Sequence, residues 1–190
     1  MRGLLLAVAF CSIFVQGVLA QEVRNNADKI ILLISEQNIS GPQNAWWATA
    51  VDLSATEAAL AGKLVEAGYV VLEPSVLSGM VENNPAFRTV NISADQSVKL
   101  ARLAKADYVV TGKAVASAGA AVPSSRMISC FANLTAKVIN VRDGTVVAYL
   151  TAAGNSAHMD IISGGREALE RAADDASVKL INALTKTRSK

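Results

Sequence analysis

Hydrophobic positions divide this chain into stretches of two periods. Lys29 to Ser35 is a short, unbroken apolar run, which reads as a strand buried on both faces. Ser54-Ala55-Thr56-Glu57 has the form of a capping box. The residues after it recur at helical spacing (Leu60, Ala61, Leu64, Val65) until Gly68. Tyr69 to Leu72 gives a second strand, stopped by Pro74. Val76, Leu77 and Met80 suggest a short helix, broken at Asn83-Asn84-Pro85. Ser93-Ala94-Asp95-Gln96 is a second capping box. Its helix carries Val98, Leu100, Ala101 and Leu103, and a third strand spans Tyr108 to Ala116.

Beyond a loop expected over residues 117–125, the period changes to two. Ile128, Cys130, Ala132, Leu134, Ala136 and Val138 alternate with polar or exposed partners, as in a long strand with one buried face. Asp143-Gly144 marks a tight turn with positive φ angles, and Thr145 to Ala153 returns as the partner strand. Gly164-Gly165 is expected to precede the last helix, whose inner side runs from Ala168 to Leu184. The predicted order is β-α-β-(α)-α-β-β-β-α. This is an α/β (α+β two-layer) domain, with a mixed sheet of about five strands and helices on one face. The segments Leu64–Val71 and Leu103–Val110 match as helix, turn, then Tyr-Val-Val, giving two similar units inside one domain.

The N-terminus adds a compartment. Arg2, the apolar stretch Leu4–Val15 and Val18-Leu19-Ala20 form a Sec-type signal peptide over residues 1–20, cleaved after Ala20. Residues 21–28 are then a lead into a single domain over 29–187. Phe10 stands where a lipoprotein signal before Cys11 needs a small residue, so the expectation is a soluble periplasmic protein. No mature segment is long and apolar enough to cross a bilayer. The net charge of +2 argues against nucleic acid as a partner.

Candidate chemistry is sparse. Cleavage would leave Cys130 alone, a small hydrophobe on a predicted buried face. His158 is the single histidine, too few for a zinc site; a histidine-based triad would have to use it, and no G-x-S-x-G nucleophile sequence is present. Gly164-Gly165-Arg166 lacks the spacing of a phosphate loop. No catalytic, metal or cofactor residues are assigned, and no enzyme activity is expected. The long connection over 36–53 carries Trp46-Trp47, and tryptophan is enriched in binding hot spots. Trp46, Trp47 and Arg88 are the partner-contact candidates. Both indoles folding back onto the core is the competing reading for the pair, and an aromatic platform for glycan a third.

Two motifs resemble a known group. Ala104–Gly112 (A-K-A-D-Y-V-V-T-G) is similar to its Ala-Asp-Tyr strand, and Val138–Val147 (V-I-N-V-R-D-G-T-V-V) to its hairpin. The group contains the middle domain of flagellar assembly protein T, the N-terminal domain of TolB, the curli secretion lipoprotein and the lipoprotein activator of penicillin-binding proteins. The resemblance covers roughly residues 28 to 187. It implies a TolB N-terminal/anticodon-binding-like fold and work by protein contact in the periplasm. The expected partner is therefore an envelope or flagellar-motor protein, with an oligomer also open. Asn140 stands where the group often has aspartate, and no lipobox is present. The alternative function is a periplasmic small-ligand or glycan-binding protein, or an unrecognised hydrolase, using the Trp46-Trp47 loop.

Overall fold

The computed structural model describes residues 27–47, 53–77, 79, 81, 87–89 and 92–188. The expected signal peptide and cleavage point lie outside these residues, as does the expected break at Asn83-Asn84-Pro85. Nine elements follow in order: β1 (Lys29–Gln37), α1 (Ala55–Glu66), β2 (Val70–Leu72), a 3-10 turn (Pro74–Leu77), α2 (Ala94–Leu103), β3 (Tyr108–Ala121), β4 (Ile128–Asn140), β5 (Val146–His158) and α3 (Ile161–Arg188). The strands make one five-stranded mixed sheet in the order β2-β1-β3-β4-β5. β1 runs parallel to both β2 and β3, while β3, β4 and β5 form an antiparallel meander.

β1 is apolar throughout because it lies between two cores. Ile30, Leu32 and Ile34 pack with α1 and α3. Ile31 and Leu33 point the other way, against Trp46, Leu77, Val98, Leu100 and Ala101. Among the described residues α1 and α3 share a face, whereas α2 covers the opposite one instead of the single helical face the pattern predicts. Connection geometry explains this. β2 lies on one side of β1 and β3 on the other, so two right-handed crossovers moving in opposite directions place α1 and α2 on opposite faces.

Local chemistry sets the helix boundaries. Ser54 Oγ accepts from the Glu57 amide at 3.2 Å, and Ser93 closes a full capping box with Gln96. Gly68 ends the α1 turn at φ +87°. α3 begins at Ile161, so Gly164 and Gly165 lie inside the helix and not in a turn before it. Asp160 caps it: its Oδ2 accepts from the Ser163 amide at 2.8 Å and from the Ser163 hydroxyl at 2.6 Å. The two glycines are there for close approach. A Cβ on Gly164 would sit 2.6 Å from Cys130 Sγ, and one on Gly165 would meet Asn38 and Ile39.

The hairpins also differ from their sequence expectation. β3 continues through residues 117–121, expected as loop, because β4 supplies a ladder for them: Ser117 pairs with Phe131, Ala118 with Cys130 and Ala121 with Ile128. At the β4–β5 connection only Gly144 has a positive φ, at +75°. Asp143 holds the turn through its side chain, accepting from the Thr145 amide at 2.9 Å and hydroxyl at 2.8 Å.

Hydrogen bonds from Ser163, side chain first and then backbone, hold the Asp160 carboxyl below the usual carboxylate range. A depressed folded-state value means that the cap contributes fully above the unfolded pKa. Its contribution is lost as pH falls through the folded value. In a carboxyl NMR titration, Asp160 is expected to protonate below the ordinary aspartate range of about 3.9. An ordinary midpoint would show that the cap is not formed in solution.

Candidate interaction face

The meander presents one face to α3 and leaves the other open. Along β4, Cys130, Ala132, Leu134, Ala136 and Val138 are buried, and on β5 so are Leu150, Ala152, Gly154 and Ser156. Small side chains on both sides let the long helix lie close to the strands. The intervening residues point away from α3. Strand register assembles them into rungs across β3, β4 and β5: Thr111–Lys137–Tyr149, Lys113–Thr135–Thr151, Val115–Asn133–Ala153 and Ser117–Phe131–Asn155. Tyr149 is 72% exposed and Phe131 45%.

α2 and the segment before it end this open face on one side. Ile92 and Ala94, with the first two rungs, line a groove of about 340 Å³. The Lys137 ammonium lies 5.8 Å from the centre of the Tyr149 ring, within cation–π range. Among the described residues, neither Lys113 nor Lys137 has a carboxylate at ion-pair distance.

The free edge of the sheet is guarded. Arg171 Nη1 donates to the Asn155 carbonyl at 2.7 Å, and Lys179 Nζ donates to the Thr151 carbonyl at 2.8 Å. Both cations are also held by α3 carboxylates, Glu167 and Asp175. Charged side chains over an edge strand oppose the addition of a further strand. The β5 edge is therefore guarded, while the face of the meander away from α3 stays open.

The three contact candidates lie on the same side of the sheet as the groove, in the layer over β1. Trp46 is 1% exposed and packs with Leu77, Val81 and Val98; its indole N–H donates to the Thr89 carbonyl at 3.2 Å. Trp47 is half-buried against the same core. Its buried indole nitrogen has no hydrogen-bond partner among the described residues. Arg88 is exposed, and its Nε donates to the Val81 carbonyl at 3.2 Å. Trp46 thus anchors this layer, while Arg88 and part of Trp47 reach solvent.

Cys130 is fully buried. His158 ends β5, and its Nδ1 accepts from the Asp160 amide at 3.0 Å, a local turn contact. Among the described residues, no group of three or more His, Cys, Asp or Glu side chains is placed to hold a metal. No helix among them is long and apolar enough to cross a membrane. The rung residues Thr111, Lys113, Lys137 and Tyr149 were not singled out by the sequence. Their only signal is polar alternation, which also marks any solvated strand face.

The mixed five-stranded sheet with helices packed on it is a fold found in solved bacterial proteins. Lipoprotein GNA1162 from Neisseria meningitidis has a similar structure, with a TM-score of 0.51 at 15% identity over 86% of this chain and 98% of its own. The LpoB C-terminal domain from Salmonella enterica gives a TM-score of 0.40 at 19% identity, covering 67% of this chain and 82% of that domain. TolB from Acinetobacter baumannii gives 0.43 at 15% identity, over 85% of this chain and 29% of TolB. At 15–19% identity these likenesses are of fold alone. No family model matches the chain, and no curated protein sequence matches it.

Proposed function

We propose that this chain is a non-catalytic protein of the bacterial envelope, exported to the periplasm, that works in cell-envelope or flagellar assembly by binding another protein. The contact surface is the open face of β3, β4 and β5, with the layer holding Trp47 and Arg88 as its flank. One observation carries this reading. The meander is closed by α3 on one side and left open on the other, with Tyr149 and Phe131 exposed along it. Exposed aromatics on a rigid sheet make contact area at low entropic cost. The resemblance to envelope proteins and the signal-peptide pattern of residues 1–20 support the compartment. Sugar stacking on the tryptophan pair has less support, since Trp46 at 1% exposure offers no platform.

Tyr149→Ala removes a side chain with little buried area. It is expected to change stability by no more than about 0.5 kcal/mol. Retention of the partner should fall about tenfold or more, as for a hot-spot tyrosine. The check is a photo-crosslinking residue placed at Tyr149 in cells, with one at exposed Val178 on α3 as control. Equal capture from both positions, or wild-type retention by Tyr149→Ala, would count against the open face.

A further inference from the structure

We infer that the groove at the head of the open face docks an extended acidic segment of the protein partner. The inference rests on the open-face reading and names the chemistry of what binds there. The first two rungs, Thr111–Lys137–Tyr149 and Lys113–Thr135–Thr151, carry two ammonium groups, four hydroxyls and no carboxylate. Five cations elsewhere, Lys63, Arg166, Arg171, Lys179 and Arg188, each hold an acid, whereas others such as Lys99 and Lys105 lie outside the groove without one among the described residues. Asp95 follows Ala94 in sequence but does not line the groove. Lys113 is half-buried without a counter-ion among the described residues, so a partner's carboxylate would relieve a partly desolvated charge.

The spacing favours a peptide. Lys113 stands opposite Thr135, and Lys137 is two residues along β4, which makes the two lysines diagonal neighbours about 7–8 Å apart. Alternate side chains of an extended peptide repeat at about 6.6–6.8 Å. Acidic residues at positions i and i+2 therefore match the spacing of the two lysine positions, and the threonine hydroxyls can donate to the peptide carbonyls between them. The only aromatic ring in the groove is approached by Lys137, which removes the open platform a sugar would use.

The test is fluorescence anisotropy on the purified protein with two labelled decapeptides, one alternating Glu and Ser, the other Lys and Ser. The Glu–Ser peptide is expected to bind, more weakly as salt rises, and the Lys–Ser peptide is not. Lys113→Gln with Lys137→Gln should weaken binding about tenfold, from two partly exposed ion pairs. Lys113→Glu with Lys137→Glu should reverse the preference, and Lys99→Gln with Lys105→Gln should change nothing. Equal binding of both peptides, no binding, or an unchanged affinity in the glutamine pair overturns the inference. So does a polyuronate that outcompetes the peptide, which would reassign the groove to an acidic glycan. The open-face reading is judged separately. Capture of a protein at Tyr149 without Glu–Ser binding leaves it standing, while peptide binding without any capture sinks both.

Discussion

Trp46→Ala is expected to lower the unfolding free energy by about 3–5 kcal/mol, the range for truncating a fully buried aromatic. Trp46 is 1% exposed and sits between the α2 layer and β1, touching the core that holds Ile31, Leu33, Leu77 and Val98. Its removal opens a cavity in the smaller of the two cores. It also leaves the Thr89 carbonyl without the indole N–H it accepts. Domains of this size have about 5–15 kcal/mol of net stability, so the change removes a large share of it. Urea denaturation measures the effect as a lower midpoint. Trp47→Ala, at a half-buried site, should cost clearly less. The comparison separates anchoring from contact. If Trp46→Ala loses its partner with a stability change under about 1 kcal/mol, Trp46 is a contact residue and the core assignment is wrong.

Much of the fold was legible because local and global signals agree. β1 is apolar at every inner position, and it lies between two cores. The serine caps stand where α1 and α2 begin, and the alternation in β4 names its buried face. Sequence failed where a residue's role depends on what is packed against it. Gly164-Gly165 reads as a turn, since glycine weakens helices. Only the approach of Cys130, Asn38 and Ile39 shows why a helix tolerates it. Ser117 to Ala121 has no strand pattern, because its ladder comes from β4. The candidate face was hidden for a similar reason. Thr135 and Lys137 read as the solvated side of one strand, and only strand register joins them to Lys113 and Tyr149. The tryptophan pair was visible, but two adjacent indoles do not say which one is the anchor.

Gly154→Ala is expected to destabilise the protein by about 3 kcal/mol, at the upper end for overpacking. Gly154 lies in β5 under α3. A Cβ there would sit 2.5 Å from the Ala172 amide nitrogen and 3.0 Å from Arg171 Cβ, and it would also meet the Ala168 carbonyl. The obstacles are largely helix backbone, which cannot rotate aside as a flexible side chain can. Relief requires α3 to lift from the sheet, and that would strip the packing of Ala168, Ala172 and Ala176 together. Gly62 in α1 gives the opposite case. Nothing lies within 4 Å of its Cβ position. Gly62→Ala should stabilise by about 0.5–1 kcal/mol, the helix-interior difference between the two residues. Two chemically identical substitutions would then move the denaturation midpoint in opposite directions. If Gly154→Ala left the midpoint unchanged or raised it, α3 would not lie as close to β5 as this structure places it.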